Sequence, residues 1–216
     1  MVPPSRPSPE GAAHYFSPSP DTPSRPGSVE LVLPDVRFDL ATDRGVFAAD
    51  RVDPGTKLLL LDGPAPTPGD QVLADVGCGY GPIACTLAGR NPQATVWAVD
   101  VNGRARDLCR ANAERAGLGN VTVADPASVP GDLVVDRIWS NPPIRVGKAE
   151  LHDLLRTWLA RLAPNGSAHL VVQKHLGADS LHRWLEAQGW AVSRRASRKA
   201  YRLLDVTRPA TAGAES

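Results

Sequence analysis

Short apolar runs alternate with longer segments of mixed apolar and polar residues between positions 71 and 188. Runs of this length predict buried strands, and the longer mixed segments predict helices. We expect strands at residues 72–76, 95–99, 121–124, 133–139 and 167–173, and helices at 83–90, 104–116, 149–163 and 180–188. Strands that alternate with helices in this way are typical of a parallel sheet with crossover helices.

The pattern changes at both ends of this region. Two further strand candidates, 190–197 and 200–206, are separated by two residues, a spacing that predicts an antiparallel pair. Upstream, residues 29–33 and 36–40 predict a hairpin, and Pro54 suits the first turn of a short helix leading into 57–61. The predicted fold class is α/β, a mostly parallel seven-stranded sheet with an antiparallel last strand, preceded by a hairpin and helix extension.

Composition divides the chain into four predicted regions. Residues 1–28 contain eight of the 21 prolines and six serines, which predicts a disordered arm with His14-Tyr15-Phe16 as a candidate anchor. The hairpin and helix extension follows at 29–69, and the main domain occupies 70–207. Residues 208–216 are expected to be a frayed tail.

Charge and cysteine content restrict the function classes. A net charge of +1 gives no global attraction to nucleic acid or membranes, so any nucleic-acid contact must rest on local patches. Three cysteines without zinc-type spacing argue against a disulfide framework or a metal site. No apolar run approaches the ~18 residues of a membrane span, and no signal-peptide core follows Met1, so we expect a cytoplasmic protein. The oligomeric state is left open between a monomer and a weak dimer.

A glycine-rich motif, Asp75-Val76-Gly77-Cys78-Gly79-Tyr80-Gly81, stands where the first strand of the main domain turns into the first helix. Glycines permit positive φ and let a ligand press against the backbone, and the helix N-terminus offers free N–H groups. The spacing is GxGxG, which differs from the GxGxxG of dinucleotide-binding proteins. A plain turn is the alternative for such a loop taken alone.

Two aspartates end the next two strands. Asp100 comes 23 residues after Gly77, where a carboxylate can accept both hydroxyls of a ribose. Asp125 follows the third strand, where a carboxylate can accept an adenine amino group. Each aspartate has helix capping as its alternative role. Both fall, with the glycine loop, at the carboxyl edge of one sheet, where ligands bind in open α/β folds.

The triplet Asn141-Pro142-Pro143 ends the fourth strand. A residue before proline is pushed to extended geometry, and the two prolines lack backbone donors. The turn therefore offers acceptors, the Asn141 amide oxygen and the Asn141 and Pro142 carbonyls, to a ligand that brings an NH2 group. A strand-ending turn is the alternative for the triplet in isolation, and the upstream glycine loop favours the functional interpretation.

Together these motifs resemble the class I S-adenosylmethionine-dependent methyltransferases, and more closely the small methyltransferase domain family, which includes 16S ribosomal RNA guanine-N2 methyltransferases. The resemblance covers roughly residues 14–207. It includes Gly45-Val46-Phe47, Val52-Asp53-Pro54-Gly55-Thr56, the glycine motif, residues 141–148 and Tyr201-Arg202. It implies a Rossmann-like fold and S-adenosylmethionine as the cofactor. The length of the chain resembles the single-domain form, without the duplicated inactive domain of some bacterial relatives.

The resemblance also implies site roles. Asp75, Gly77, Gly79 and Gly81 would frame the methionine part of the cofactor, Asp100 the ribose and Asp125 the adenine. Cys78 and Val101 complete the implied cofactor contacts, although Cys78 is expected to fill space. The implied catalytic turn is Asn141, Pro142, Pro143 and Ile144. Ile144 stands where many relatives have an aromatic residue, so an apolar contact replaces base stacking there.

Substrate contacts are expected around the turn. Arg145 and Lys148 flank it, and Phe47 is a candidate lid over the base, with a core position as its alternative. Arginines at 194, 195, 198 and 202, with Lys199 and Tyr201, are candidates for phosphate contacts or for a solvated edge strand. His169 and His175 are expected to be structural or solvated.

The expected function is methylation of an exocyclic amino group of a nucleic-acid base, most specifically guanine N2 of small-subunit ribosomal RNA. The expected partner is therefore 16S rRNA or the small ribosomal subunit. Adenine N6 and a protein glutamine amide are rival targets, because all three are planar NH2 groups. From other classes, an NAD-binding oxidoreductase and a non-catalytic RNA-binding assembly factor remain alternatives.

Overall fold

The computed structural model of the chain describes residues 22–143 and 146–209. The His14-Tyr15-Phe16 anchor, most of the predicted arm, Ile144, Arg145 and the tail from residue 210 onward lie outside the described residues.

A seven-stranded mixed sheet forms the centre of the molecule. Its strands are β3 (Val72–Val76), β4 (Thr95–Val99), β5 (Val121–Ala124), β6 (Val135–Ser140), β7 (Leu162–Gln173), β8 (Ala191–Arg198) and β9 (Tyr201–Thr207). They are arranged in the order β5-β4-β3-β6-β7-β9-β8. The pairs from β5 to β7 are parallel, whereas β9 is antiparallel to both of its neighbours. The predicted fold class, including the antiparallel last strand, is confirmed.

Helices cover both faces of this sheet, which gives a three-layer arrangement. They are α1 (Pro54–Asp62), α2 (Pro82–Arg90), α3 (Gly103–Arg115), α4 (Lys148–Leu159) and α5 (Ala178–Ala187). The buried apolar residues form two clusters, one with side chains of α1, α2 and α3 and the other with side chains of α4 and α5. Within the described ranges, no helix is long and apolar enough to cross a membrane.

The predicted boundary between the helix at 149–163 and the strand at 167–173 is wrong. Helix α4 ends at Leu159, and β7 already begins at Leu162. Pro164 disfavours helical geometry in Ala163, which is consistent with extended backbone at that residue but does not account for the end of α4 at Leu159. The early part of β7 then shifts its register against β6. Gly166 lies at this irregularity, where a Cβ atom would come within 2.9 Å of the Asp136 carbonyl oxygen.

The N-terminal hairpin is longer than predicted. Its strands are β1 (Pro26–Val32) and β2 (Arg37–Asp43), so residues 26–28 belong to a strand and not to the expected arm. Two buried asparagines join this segment to the central domain. Asn112 exchanges hydrogen bonds with both backbone groups of Ala41, and Asn102 Nδ2 donates to the Gly45 carbonyl over 2.9 Å. The apolar residues of the hairpin and of α1 pack into the same core as the sheet. The division into domains at residue 70 stays a prediction.

Candidate active site

A cleft of about 1160 Å³ opens at the carboxyl ends of β3, β4 and β6. This edge lies beside the crossover from β3 to β6, the position at which open α/β sheets bind ligands. Several residues singled out from the sequence line the cleft together: Phe47, Gly77, Gly79, Asp100, Val101, Asn141, Pro142 and Pro143. The fold therefore brings the glycine loop and the proline turn to one site, although Gly77 and Asn141 are 64 positions apart in the chain.

The glycine loop needs its glycines for two different reasons. Gly77, Gly79 and Gly81 all have positive φ, at 79°, 55° and 93°. At Gly81 a Cβ atom would also come within 2.7 Å of the Cys109 sulfur, so a larger residue would collide with α3. At Gly79 a Cβ atom would meet nothing within 4 Å. The backbone of Gly79 thus faces open space and is accessible to a ligand in the cleft.

Asp100 is held at the cleft by backbone donors. Its Oδ2 accepts from the Gly79 amide and its Oδ1 from the Asn102 amide, each over 2.9 Å. Burial raises the pKa of this carboxyl above its ordinary value, although these hydrogen bonds oppose the shift. Each carboxylate oxygen has a second lone pair, so Asp100 can still accept hydrogen bonds from ligand hydroxyls. The residue therefore fits a ribose-binding role.

Asp75 lies beneath the glycine loop and is fully buried. Its Oδ2 accepts from the Ala84 amide over 2.9 Å, whereas its Oδ1 has no partner within the described part of the chain. Burial, with a smaller contribution from the Asp100 charge, raises the pKa of Asp75 to about 8. An unpartnered buried carboxyl oxygen beneath the loop suits a site that receives a polar ligand. Asp75 does not itself line the cleft, and its contact with a cofactor stays a prediction.

Other residues assigned to the cofactor have different surroundings. Asp125 accepts from the Ala127 amide over 3.0 Å and forms an ion pair of 2.9 Å with Arg106. Asp125 is thus engaged as a cap, and its adenine contact stays a prediction. Cys78 is buried, and its contact with Cys109 and its burial raise the pKa of the thiol. A protonated, enclosed thiol is consistent with the expected space-filling role.

Asn141 is fixed by the N-terminus of α1. Its Nδ2 donates to Asp53 Oδ1 over 2.8 Å and to Thr56 Oγ1 over 3.0 Å. The same Asp53 oxygen caps α1 by accepting from the Gly55 and Thr56 amides. Because this Asp53 oxygen already acts as an acceptor for two backbone amides, the Asn141 atom that faces it must be the donor nitrogen. The orientation of the Asn141 amide is therefore determined by its partners.

The oxygen of the Asn141 amide, Oδ1, is a hydrogen-bond acceptor that remains available to a ligand. Among the described residues, no group donates a hydrogen bond to Asn141 Oδ1. Asn141 and Pro142 both line the cleft, and Ser140 Oγ ties the end of β6 to the Val76 carbonyl over 2.6 Å. A narrow pocket of about 30 Å³ between the glycine loop and Phe47 also includes Asn141. The turn thus presents acceptors beside the glycine loop.

Sequence reasoning gave no role at this turn to three of its neighbours, namely Asp53, Thr56 and Tyr201. An Asp-Pro pair before a helix indicates an N-cap, and this signal does identify Asp53 as a capping residue. The hydrogen bond between Asp53 and Asn141 could not be predicted, because the two residues are 88 positions apart in the sequence. Tyr201 lines the cleft and lies so close to α1 that a Cβ atom on Gly55 would come within 2.6 Å of its ring. Glycine at position 55 therefore allows this close approach.

The other residues considered for substrate contact differ in their position relative to the cleft. Phe47 lines the cleft with 46% of its surface exposed, which favours the lid position over the core position. Lys148 is exposed at the start of α4 and does not line the cleft. His169 is buried away from it, with Nδ1 2.8 Å from Asp205 Oδ1 and Nε2 3.0 Å from Ser167 Oγ, in agreement with a structural role.

Comparison with known proteins identifies related chains. The uncharacterized protein YbxB of Bacillus subtilis is 35% identical over 80% of this chain and 87% of its own length. Ribosomal RNA small subunit methyltransferase C of Hahella chejuensis is 36% identical, over 69% of this chain and 44% of its own length. The chain therefore spans less than half of that larger protein.

A solved structure shows the same architecture. The Thermus thermophilus 16S rRNA N2 G1207 methyltransferase (RsmC), in complex with AdoMet and guanosine, matches with a TM-score of 0.72 and 26% identity. The match covers 86% of this chain and 51% of that one. The model of the methyltransferase small domain family matches residues 37–205. The chain belongs to this family of S-adenosylmethionine-dependent methyltransferases, and the predicted family, enzyme class and cofactor are thereby confirmed.

Proposed function

We propose that the protein methylates an exocyclic amino group of a nucleic-acid base, specifically guanine N2 of small-subunit ribosomal RNA. The observation that carries this proposal is the fixed amide of Asn141, whose nitrogen is bound by Asp53 and Thr56 and whose oxygen has no donor within the described chain. A site built to accept hydrogen bonds suits a substrate group that donates two. An exocyclic NH2 is such a group, whereas a hydroxyl or a thiol offers a single hydrogen.

The cofactor would occupy the glycine-rich half of the cleft. The backbone at Gly77 and the open backbone at Gly79 would contact its methionine part, with Asp75 below, and Asp100 would accept from the ribose hydroxyls. Val101 is 37% exposed in the cleft and offers an apolar surface to the adenine. When bound, S-adenosylmethionine supplies an electrophilic methyl group on a sulfonium sulfur.

The residues of the turn would act on the amine. The lone pair of an exocyclic amine is shared with its ring, which makes the nitrogen a poor nucleophile. Hydrogen bonds accepted by Asn141 Oδ1 and the Pro142 carbonyl would favour a pyramidal nitrogen. The lone pair of that nitrogen is then less conjugated with the ring and more available as a nucleophile. This contribution is positioning and electrostatic stabilisation, which requires no strong general base.

The choice of guanine N2 rests on relatives and on the shape of the site. The Thermus thermophilus and Hahella chejuensis proteins are named as methyltransferases of small-subunit ribosomal RNA, and the former acts on N2 of a guanosine. Phe47 provides an exposed ring at the mouth of the cleft, where a base could stack. These features support a base over a glutamine side chain as the substrate.

The test is identification of the methylated product. Small ribosomal subunits and naked 16S rRNA from a strain that lacks the gene are incubated with the purified protein and methyl-labelled S-adenosylmethionine. After digestion to nucleosides, mass spectrometry should detect labelled N2-methylguanosine. Label in N6-methyladenosine or in a protein glutamine would reassign the substrate. Cofactor binding without transfer to RNA or protein would support the assembly-factor alternative instead.

A further inference from the structure

Three exposed arginines surround the mouth of the cleft: Arg25, Arg44 and Arg51. All three belong to the N-terminal segment, before the first strand of the central sheet. Among the residues that the structure describes, no carboxylate forms an ion pair with any of their guanidinium groups. We name this group the arginine rim. Its charges are available to a ligand that approaches the cleft.

Asp43 fixes the backbone of two rim residues. Its Oδ1 accepts from the amides of Arg25 and Arg44, over 2.5 and 2.6 Å, and its Oδ2 accepts from Ser24 Oγ over 2.7 Å. The charge of Asp43 is balanced by Arg104, whose Nε lies 3.6 Å from Oδ2. Asp43 therefore anchors the rim without neutralising its side chains.

Arg51, the third rim residue, lies in a separate turn of the N-terminal segment. Its amide donates to the Ala48 carbonyl over 3.4 Å, in a turn where Ala48 itself has a positive φ of 55°. Asp50, also exposed at the mouth, is the one carboxylate there that no described group engages. Asp53 and Asp100 also line the cleft, but both are only partly exposed, and their carboxylates accept hydrogen bonds from Asn141 and Gly79. The exposed charged residues of the described lining are thus three arginines and one aspartate.

A second arginine group, on β8 and β9, has the opposite character. Arg194 and Arg202 both pair with Asp179, Arg195 pairs with Asp205 over 2.7 Å, and Arg198 pairs with Asp62 over 2.8 Å. Each guanidinium of this group thus pairs with a carboxylate, and Arg194 and Arg202 share one. Of the two alternatives for the 194–202 cluster, these ion pairs favour the charged edge strand over the phosphate contact.

We propose that the arginine rim binds backbone phosphates of a single-stranded RNA segment whose target base enters the cleft. The guanidinium group matches phosphate geometry through paired N–H donors. The nitrogen that Asn141 positions lies on a base, so the sugar-phosphate chain must remain at the mouth, where the rim is. Phe47 stands between Arg44 and Arg51 in the chain, and arginines interleaved with an exposed aromatic ring are typical of single-strand binding. The inference rests on the proposed function.

The experiment compares two variants that lose the same charge. One is Arg25→Ala/Arg44→Ala/Arg51→Ala. The other is Arg37→Ala/Arg194→Ala/Arg198→Ala, which removes three exposed arginines that pair with Glu30, Asp179 and Asp62. Binding of a fluorescein-labelled, mixed-sequence single-stranded RNA of about 20 nucleotides is followed by anisotropy from 50 to 300 mM KCl. Cofactor affinity and melting temperature are measured in parallel.

We expect the rim variant to lose at least about tenfold in RNA affinity at low salt, while the matched variant stays within about threefold of wild type. The slope of log affinity against log salt should become shallower by ~0.7 for each phosphate that the variant no longer binds, about two units in all. Cofactor affinity should be unchanged in both variants. Removing the opposing charge by Asp50→Asn should strengthen RNA binding.

An unchanged slope in the rim variant, or equal losses in both variants, would overturn the inference. Tighter rim-dependent binding of polyglutamate than of RNA would overturn it in favour of an acidic protein partner. If wild type methylates ribosomal RNA while the slope is unchanged, the rim fails and the proposed function stands. If wild type binds the cofactor and neither binds nor methylates RNA, the proposed function fails.

Discussion

In the glycine-rich half of the cleft, the hydrogen bonds that hold Asp100 join residues that are close in the chain, whereas the hydrogen bonds at the Asn141 turn join residues far apart. Gly79 and Asp100 are separated by 21 positions, and Asp100 and Asn102 by two. Asn141 and Asp53 are separated by 88 positions, and Ser140 and Val76 by 64. The glycine-rich half, which we propose binds the cofactor, is thus held at Asp100 by neighbours in the chain, and Asn102 adds one link to the N-terminal segment at Gly45. The Asn141 half, which we propose binds the amine, depends directly on that segment through Asp53. We therefore expect substitutions in one half to change cofactor affinity and substitutions in the other half to change kcat.

The largest effect is expected at the turn itself. Asn141→Ala removes an acceptor that acts mainly in the transition state, so kcat should fall by ~10²–10³. Cofactor affinity, measured by calorimetry, should stay within a few-fold of wild type, because the Asn141 side chain is bonded to Asp53 and Thr56 and not to the glycine loop. Asn165→Ala, an exposed asparagine outside the cleft, is the matched control. A variant that keeps more than about a tenth of wild-type turnover would show that the turn is structural.

The converse pattern is expected at Asp100. Asp100→Asn places an NH2 group against one of the two backbone amides that the carboxylate now accepts from. Losing a charged hydrogen-bond acceptor costs ~1.5–3 kcal/mol, so the Kd for the cofactor should rise by about 10- to 100-fold. The kcat at saturating cofactor should change much less. The control is Asp107→Asn, on the exposed side of α3. Equal cofactor binding by wild type and variant would remove Asp100 from the site.

A smaller effect is expected where the N-terminal segment meets the turn. Asp53→Ser retains a good N-cap for α1, but the shorter side chain no longer reaches Asn141. The kcat should fall by about tenfold, with the melting temperature and cofactor affinity nearly unchanged. Thr56→Val keeps the shape of the side chain and removes one acceptor, so a loss of about threefold is expected. A fall in melting temperature that parallels the loss of activity would indicate a purely structural role.

At Asp75 we expect the smallest effect on turnover, and the measurable effect is on the pH dependence of stability. Burial raises the pKa of this carboxyl to about 8 from 3.8, so the folded protein retains a proton that the unfolded chain releases. The resulting stabilisation is complete below the unfolded pKa and is lost as the pH rises through the folded one. Between pH 5 and 8, the free energy of unfolding should fall by up to about 1.4 kcal/mol per pH unit from this group.

Urea unfolding at several pH values checks this expectation against Asp75→Asn, which should lack that part of the slope. Asp100, whose pKa burial also raises, contributes a slope of the same sign in both proteins. Identical pH dependence in wild type and Asp75→Asn would show that Asp75 is ionised in the folded protein.

The difference between the two halves also explains what the sequence could predict. The bounds of β3, β4 and β5 match their predicted ranges, because each is a short apolar run ended by polar or glycine residues. The glycine loop and Asp100 belong to motifs within these units, so the sequence predicted that they meet at one edge of the sheet, where both line the cleft. Chain-local signals also identified Asn141 and its prolines.

Contacts between distant segments could not be predicted in this way. Asp53 is recognisable as a cap, but nothing near it indicates that its carboxylate also orients Asn141. The arginines at 194–202 formed a basic cluster in the sequence, whereas their aspartate partners lie up to 136 positions away. Arg25, Arg44 and Arg51 are scattered in the sequence, and only the fold gathers them around the cleft. Long-range pairing decides which charges remain free.

The most direct test of the central claim is a double-mutant cycle on kcat with Asp53→Ser, Asn141→Ala and the combined variant. If Asp53 acts by orienting the Asn141 amide, its removal has no further effect once that amide is gone. We therefore predict that the combined variant is no more than about threefold slower than Asn141→Ala alone. Losses that multiply, about tenfold beyond Asn141→Ala, would show that Asp53 acts independently and would contradict the proposed orientation of the amide.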